Sequence, residues 1–276
     1  MPKPTLTAEL AAKYRELVAL LQGYGRVMVA FSGGVDSTLL LKVAWDTLGE
    51  NVLAVTKLSP LMTAEEREEA LSLARMIGAR QRTIETNEPA MAEFAENTPE
   101  RCYICRLSLC KTLKQLAREE GFEVLVDGAN TGDLGDYRPG MRAVEEMGVL
   151  HPLVTAGFNK QDIRQLAAYL GLPNWNRPSA SCLATRVPYG TTITPAILRQ
   201  VEVAERYLKR QGFSQVRVRY HQDIARIEVL PAEMSKLLAM AAEVTDHLRR
   251  EAGFHYVTMD LLGFRSGSMN EVLAAG

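Results

Sequence analysis

Hydrophobic and polar positions recur along this chain with two periods, and where the period changes the chain reads as strand, helix or boundary. Strand-like runs fall at Val27–Phe31, Val52–Thr56, Gln81–Glu85 and Val124–Asp127, with a short one near Val149–Leu153. Between them lie helical runs at Ser37–Leu48, Ala64–Ile77, Leu107–Glu120 and Lys160–Leu170. Thr63 and Glu66 give the second of these a capping-box start. Leu6–Leu21 reads as a further helix with Leu10, Tyr14, Leu17, Val18 and Leu21 on one side. Strands alternating with amphipathic helices predict an α/β fold, a parallel sheet covered on both faces. Ligands of such sheets sit beyond the carboxyl ends of the strands.

After Pro173 the texture changes. Residues 174–194 are rich in Pro, Ser, Thr and Asn and too long for a casual connection, which marks a functional or hinge segment. A helix follows over Pro195–Gln211, with Thr194 as its cap and Gly212 as its stop. Val216–Tyr220 and Ile224–Val229 then alternate apolar with charged residues, as an antiparallel hairpin with one face of each kind. A helix at Ala232–Glu251 and a strand at Tyr256–Leu261 complete a smaller α+β domain that ends in the loop-like GFRSGSMN. The expected organisation is a nucleotide-binding domain over 1–175, an active-site loop or linker over 176–194, and a substrate-binding or oligomerisation domain over 195–276. No internal repeat or low-complexity segment interrupts it.

Composition narrows the class only modestly. The 276 residues are 47% hydrophobic and 24% charged, as in ordinary globular proteins, with room for one large or two modest domains. A net charge of −1 offers nucleic acid no bulk attraction. The N-terminal stretch has no apolar signal core and no segment approaches membrane-span length, so a cytoplasmic chain without membrane association is expected. In a reducing compartment, Cys102, Cys105, Cys110 and Cys182 read as metal-binding or reactive rather than disulfide-bonded.

The most specific chemistry lies in Ser32-Gly33-Gly34-Val35-Asp36-Ser37, set between a strand and a helix start. Two glycines let the backbone turn its N–H groups inward, and the first N–H groups of a helix bind an oxyanion. Ser32 and Ser37 add hydroxyl donors, and Asp36 suits a magnesium ion held between phosphates. The alternative is a plain helix start with glycine and serine present only for turning. Neither a Walker loop nor a dinucleotide fingerprint is present. The segment resembles the pyrophosphate loop (PP-loop) of the ATP pyrophosphatases, which transfer AMP to a substrate, with Asp36 and Ser37 then in the reaction. Asp127, Gly128, Ala129 and Asn130 end a core strand where the sheet presents residues to a nucleotide, and Asp133, Asp136, Tyr137 and Arg138 follow. There Asp133 reads as a magnesium ligand and Arg138 as a phosphate contact, against the alternative of a polar surface loop.

Cys102 and Cys105 form a C-x-x-C on a loop expected before the Leu107 helix, and Cys182 lies in the 174–194 segment. Three thiolates suit a [4Fe–4S] cluster with one iron open to exogenous sulfide. A zinc site with partners elsewhere, a redox pair and plain buried thiols remain open beside it. Cys110 shares helical spacing with Leu107, Leu113 and Ala117 and reads as a core thiol. Cys182, near arginines, is also a candidate nucleophile or sulfur carrier in its own right.

The pyrophosphate loop, SASCLATR around Cys182, the hairpin VRVRYHQDIARIEV and the terminal GFRSGSMN together resemble the ATP-dependent sulfur transferases of nickel-pincer nucleotide biosynthesis, the LarE family. The likeness runs from about Leu6 to about Asn270. It implies an adenine nucleotide alpha hydrolase-like (PP-loop) domain that uses ATP and Mg2+ to adenylylate the carboxylates of a pyridinium dicarboxylic acid mononucleotide, which sulfur converts to thiocarboxylates. In single-cysteine members the residue matching Cys182 gives up its own sulfur; the additional Cys102 and Cys105 make this chain similar to the three-cysteine, [4Fe–4S] branch. Arg186, Arg217 and Arg265 match the family's substrate-phosphate site, and Glu205 and Glu228 match acidic residues of the same neighbourhood. Read without the family, hairpin arginines such as Arg217, Arg219 and Arg226 are solvated or form cross-strand ion pairs. Expected partners are a sulfide source, a nickel insertase and further copies in a homo-oligomer. The rival readings are a PP-loop tRNA thiolase with a three-cysteine cluster, which calls for a basic surface, an amidotransferase-type synthetase, which calls for a glutaminase domain, and a non-enzymatic sensor of ATP or a cluster.

Overall fold

Apolar strands too short to satisfy their own backbone groups must pair, and here they pair side by side in parallel. In the computed structural model, which describes residues 5–133, 139–178 and 181–271, the chain begins with α1 (Ala8–Tyr24), β1 (Val27–Ala30), α2 (Val35–Leu48), β2 (Val52–Leu58), α3 (Ala64–Ile77) and β3 (Arg80–Glu85). It continues with α4 (Ala92–Ala95), α5 (Arg101–Glu120), β4 (Val124–Val126), α6 (Pro139–Glu146), α7 (Pro152–Thr155) and α8 (Lys160–Tyr169). Then come α9 (Pro195–Arg210), β5 (Val216–His221), β6 (Ile224–Val229), α10 (Met234–Ala239), α11 (Ala241–Arg250) and β7 (Tyr256–Met259). Two compact units result. Met1–Ser59, Ala64–Thr86 and Glu100–Ala180 make the first, and Pro60–Thr63, Asn87–Pro99 and Ser181–Gly276 the second.

The first unit holds a parallel sheet in the order β3-β2-β1-β4. Side chains alternate across it. Val27, Val29, Val52 and Ala54 face Leu17 and Leu21 of α1, Leu40 and Leu41 of α2 and Leu166 of α8. Met28, Leu53, Val55 and Leu125 face the other way, against Cys110, Leu113 and Ala117 of α5 and Val144 of α6. Each such buried aliphatic side chain contributes about 1.5–3 kcal/mol, which makes these two layers the main support of the sheet. Because β1 lies between β2 and β4, the strand order reverses at β1. The crevice between the carboxyl ends of β1 and β4 is where such sheets bind ligands.

Two glycines let the chain crowd into that crevice. At Gly33 the backbone takes φ +76°, and a Cβ there would lie 2.8 Å from the Ala70 Cβ on α3. A Cβ on Gly128 would lie 2.7 Å from the Ser37 nitrogen. The turn after β1 is therefore wedged between α3 and the end of β4, with backbone rather than side chains setting the spacing.

In the second unit β5 and β6 are antiparallel, and β7 adds in parallel beside β6. Val216, Val218, Ile227 and Val229 pack with Ala204 and Leu208 of α9 and Val244 and Leu248 of α11. The segment carrying Cys182 is tied to chain that precedes it by many residues. The Leu183 N–H donates to the Leu61 carbonyl at 2.9 Å and the Ile193 N–H to the Ala95 carbonyl at 2.8 Å. The buried Asn97 side chain donates to the carbonyls of Val187, Pro188 and Thr191 at 3.3, 2.7 and 3.0 Å.

Three expectations are corrected. The strand near Val149–Leu153 shrinks to one bridge, Leu150 with Val126, because Pro152 lacks an N–H and starts α7 instead. The C-x-x-C is not in a loop: α5 begins at Arg101, and its first turn, with Arg101 buried and Cys102 exposed, has no apolar stripe to announce it. The Ala232–Glu251 helix breaks at Met240, where φ −101° and ψ 11° leave the helical region with no glycine or proline to mark it. The short helices α4, α6 and α7 add to the elements that the periods predict.

The wedge predicts a stability difference between two glycines. Gly128→Ala is expected to lower the free energy of unfolding in urea by roughly 1–3 kcal/mol through backbone overpacking. Gly23→Ala, in α1 with nothing within 4 Å, should instead raise it by about 0.5–1 kcal/mol. A Gly128→Ala curve that overlays the native one removes the claim that backbone contact spaces the loop.

Candidate active site

Gly34 caps α2 through an extended backbone and offers no side chain, so no side chain caps the helix's first turn. The rest of the loop is bonded inward. Ser37 Oγ donates to the Gly34 carbonyl at 3.1 Å and accepts the Ser32 N–H at 3.3 Å. Ser32 Oγ lies 3.1 Å from Ser37 Oγ and accepts the Gly34 N–H at 3.3 Å. From behind, the buried Asn174 donates to the Gly33 carbonyl and to Thr38 Oγ1, both at 3.0 Å. With its carbonyls turned into the protein, the loop and the uncapped end of α2 form a site for an anion.

Asp36 is not alone. Lys160 Nζ donates to both of its carboxylate oxygens, at 2.7 and 2.6 Å. The lysine opens α8, whose start is fixed by a capping box in which Asn159 accepts from Gln161 and Asp162 and Asp162 accepts from Asn159. In the sequence Lys160 is only the first residue of a helical run, and nothing short of its packing marks it. A cation on Asp36 at a phosphate-binding loop is what the chemistry of a polyphosphate needs, and a lysine can move from carboxylate to phosphate.

Across the crevice, Asp127 accepts the Ala129 N–H at 3.1 Å and lies 2.6 Å from His151 Nδ1. The hydrogen bond to Asp127 raises the His151 pKa above its ordinary 6.5; burial opposes this, Glu145 assists and Arg106 resists. Asn130 donates from its N–H and its side chain to Asp133 Oδ2, both at 2.9 Å, and accepts the Gly132 N–H at 3.0 Å. The two form a self-bonded turn next to Gly128. Arg138, with Asp136 and Tyr137, lies outside the described residues.

The thiols divide between the units. Cys102 is exposed, Cys105 half-buried, and neither is in a disulfide. Three residues apart in the first turn of α5, they share a helix face at the positive end of its dipole. Lys57 Nζ donates to Cys105 Sγ at 3.6 Å. Arg142 stacks 4.2 Å from the Tyr103 ring centroid, and Tyr103 donates to Glu146 at 2.7 Å, which packs α6 against this turn. Cys110 is buried in the core as expected, and burial pushes its thiol pKa up. Cys182, half-buried, belongs to the second unit. Among the described residues no group of three or more His, Cys, Asp or Glu side chains is gathered to hold a metal ion. Two unbridged thiols on one helix face, in a basic setting, are nonetheless a donor set of the type soft metals and sulfur take.

In the second unit the charged face of the hairpin is buried, not solvated. Arg186 grips Glu205 with Nε and Nη2 at 2.8 and 2.9 Å, and its Nη1 donates to the carbonyls of Ser181 and Cys182 at 2.7 and 3.0 Å. Glu205, fully buried, also accepts the Val218 N–H at 3.0 Å. Burial works against its ionisation, but the Arg186 charge and hydrogen bonds outweigh that and hold its carboxyl below the ordinary value. Arg186 thus shapes the backbone on either side of Cys182. Glu228 accepts from Arg219 at 2.6 Å, from Arg226 at 3.3 Å and from Ser268 Oγ at 2.9 Å. Arg217 donates to the Val216 carbonyl at 2.8 Å and lies 5.5 Å from the Phe264 ring centroid. Arg265 reaches Asp260 at 3.2 Å and Glu271 at 3.1 and 3.4 Å. That last pair is exposed to solvent, and screening makes it exchangeable in a way the buried Arg186–Glu205 pair is not.

Two outcomes follow. Glu205→Gln leaves a buried guanidinium without its counter-charge, and should cost roughly 3–5 kcal/mol of stability in urea unfolding. A loss no larger than an ordinary surface change would mean that Arg186 is not held as described. For His151, the raised native pKa means its pair with Asp127 stabilises fully below its ordinary 6.5 and fades as pH climbs through the raised value. The gap in unfolding midpoint between native protein and His151→Gln should therefore be widest below about pH 6.5 and narrow as pH rises above it. A gap constant with pH shows that the pair carries no charge.

Known proteins resemble this chain in sequence. Residues 8–126 match the NAD synthase family. The pyridinium-3,5-bisthiocarboxylic acid mononucleotide synthase of Lactiplantibacillus plantarum is 44% identical over 96% of this chain and 96% of its own length. An uncharacterized Synechocystis protein is 42% identical over 96% of this chain and 99% of its own. An uncharacterized protein of Methanocaldococcus jannaschii is 28% identical over 87% of this chain and 91% of its own. Identity above 40% along nearly the full length of the first two, joined to a pyrophosphate-type loop at the switch point of a parallel sheet, means that the chain belongs to the PP-loop family of the mononucleotide synthase, the LarE family.

Proposed function

We propose that this chain is an ATP-dependent sulfur transferase. It adenylylates the carboxylates of pyridinium-3,5-dicarboxylic acid mononucleotide and converts them to thiocarboxylates for a nickel-pincer cofactor. The observation that carries this reading is the 44% identity to the mononucleotide synthase over 96% of the chain. The loop chemistry supports it independently.

The uncapped end of α2 and the hydroxyls of Ser32 and Ser37 bind the ATP phosphates, and Gly128 leaves room beside them. Asn130 and Asp133 border the same crevice, with Asp133 and Asp36 available to Mg2+ and Arg138 to phosphate. Lys160 passes from Asp36 to the departing pyrophosphate. A substrate carboxylate oxygen attacks the α-phosphorus, the bond to the β-phosphate oxygen breaks, and pyrophosphate leaves with the electron pair. Sulfur, as hydrosulfide or its equivalent, then attacks the acyl carbon; AMP leaves and one proton is released. The loop's donors stabilise charge that develops on the leaving group, where preorganised hydrogen bonds act most strongly.

Cys102, Cys105 and Cys182 would hold a [4Fe–4S] cluster, which supplies an iron-bound sulfide when present. Arg217 and Arg265 receive the substrate phosphate as bidentate forks, with the Val216 carbonyl and Asp260 as their present acceptors, and Glu228 holds the neighbouring Arg219. Arg186 and Glu205 act on Cys182 instead, by fixing the backbone that presents it. Among the described residues no helix is long and apolar enough to cross a membrane. The cytoplasm, where ATP and reduced sulfur are both supplied, is the site of action this chemistry calls for. A sulfide source, a nickel insertase and further copies of the chain are its partners.

The test is pyrophosphate release from ATP, measured anaerobically with the pyridinium dicarboxylate mononucleotide. Asp36→Ala and Lys160→Met should each lower the rate by about 100-fold. Cys182→Ala should still release pyrophosphate but form no thiocarboxylate. Release triggered by tRNA and not by the mononucleotide would overturn the assignment in favour of a tRNA thiolase. Native protein should also carry about four irons per chain, lost in Cys102→Ala. If it stays iron-free after reconstitution, Cys182 becomes the sacrificial sulfur donor.

A further inference from the structure

We infer that Asn174 is a positioning residue for the pyrophosphate loop, setting its affinity for the ATP phosphates by fixing two successive peptide groups. The inference rests on the reading of that loop as the ATP site, and goes beyond it by naming the group that gives the loop its binding conformation.

The buried Asn174 gives both amide hydrogens to the loop and the helix it starts: Nδ2 donates to the Gly33 carbonyl and to Thr38 Oγ1, each at 3.0 Å. The amide cannot be turned over, because the Gly33 carbonyl only accepts. A trans peptide is planar, with its C=O and N–H on opposite sides. Holding the Gly33 carbonyl on Asn174 therefore turns the Gly34 N–H to the exposed side, where its acceptor is Ser32 Oγ at 3.3 Å. That is longer than an ordinary N–H···O bond, so a phosphate oxygen can replace it at little cost. The next peptide is held through Thr38. Its hydroxyl accepts from Asn174 and so points its own hydrogen at the Gly34 carbonyl, at 2.9 Å. By the same planarity the Val35 N–H is directed out of the N-terminal end of α2.

The mounting of Asn174 suits this role. Its Oδ1 is buried with no hydrogen-bond partner among the described residues, a cost that a side chain present only to fill space would not carry. Lys160, the first residue of α8, pairs with Asp36, and Asn174, just past the same helix, holds the backbone. When Lys160 leaves Asp36 for a phosphate, Asn174, which has no charge to exchange, keeps the loop in place. The Asn174 carbonyl accepts the Arg177 N–H at 3.0 Å, and the Arg177 side chain pairs with Glu69 of α3. Glu69 adjoins Ala70, against which Gly33 packs, so the turn that carries Asn174 is fastened to a wall of the loop it holds. In the sequence Asn174 reads only as a turn residue after Pro173, because its partners lie far back along the chain.

The experiment uses the full chain and the variants Asn174→Ala, Asn174→Asp and Thr38→Val, each first compared with native protein by circular dichroism and urea unfolding. Binding of MgATP, inorganic pyrophosphate and AMP is then measured separately by isothermal titration calorimetry, with no mononucleotide or sulfur source present. Asn174→Ala should weaken ATP and pyrophosphate about tenfold, the order that one or two lost hydrogen bonds carry, and leave AMP within about twofold. Asn174→Asp, of the same size but without the amide donors, should weaken both further by placing a carboxylate behind the phosphates. Thr38→Val, nearly isosteric, should show the same split on its own. Combined with Asn174→Ala it should weaken ATP by less than the product of the single effects, because the two residues share a hydrogen bond. Folded variants that bind ATP and pyrophosphate as native protein does, or that lose AMP in equal measure, would overturn the role of Asn174. Native protein that binds neither ATP nor pyrophosphate would overturn the reading of the loop itself, so the two failures are distinguishable.

Discussion

Between β1 and α2 the chain passes through a gap with no room for a Cβ at either wall: Gly33 meets Ala70, and Gly128 meets the Ser37 nitrogen. That approach decides where the loop's carbonyls can turn. They go to Ser37, Thr38 and Asn174, and the uncapped end of α2 is then committed to the crevice. The steric constraint and the hydrogen bonds cooperate: glycine permits the geometry, and the serine, threonine and asparagine side chains hold it. The Asp36–Lys160 pair completes the site with charge that a polyphosphate can reorganise.

The second unit treats charge differently. Five arginines lie on or near the polar face of its sheet, and for the buried three, Arg186, Arg217 and Arg219, the cost would be prohibitive without hydrogen-bond partners. Depth sorts their roles. The fully sequestered Arg186–Glu205 pair costs too much to break during turnover, and its remaining donors shape the Cys182 backbone. Arg265 is shared between the nearly buried Asp260 and the exposed Glu271, and solvent screens the second of these pairs. A single residue type thus makes a locked pair or an exchangeable one according to what surrounds it.

The sequence revealed most of what depends on local order. The four parallel strands, α2 and α3, the pyrophosphate loop and the Thr194 cap of α9 follow from period and turn chemistry, and the Ser32–Ser37 motif points to ATP use. What it concealed depends on contacts between distant residues. Lys160 and Asn174 act on the loop from far along the chain, and Lys57 reaches Cys105 across a strand and a helix. The burial of Arg219 and Glu228 could not be told from a solvated hairpin, since alternation identifies a polar face but not what covers it. The first turn of α5 escaped because the residue it buries is Arg101, and a buried arginine leaves no apolar period.

The assignment of residues 60–63 and 87–99 to the second unit also bears on how the protein comes to be made. The carbonyls of Leu61 and Ala95 and the side chain of Asn97 bond to residues 183–193. During synthesis those partners emerge on the order of ten seconds later at ordinary ribosomal speeds. The second unit cannot close around its early segments until the first has been made almost entirely, so the backbone that presents Cys182 is among the last features to form. Because the chain crosses between units repeatedly, no single cut separates them into two continuous pieces. The pyrophosphate loop and the loop that carries Cys182 therefore depend on one uninterrupted chain.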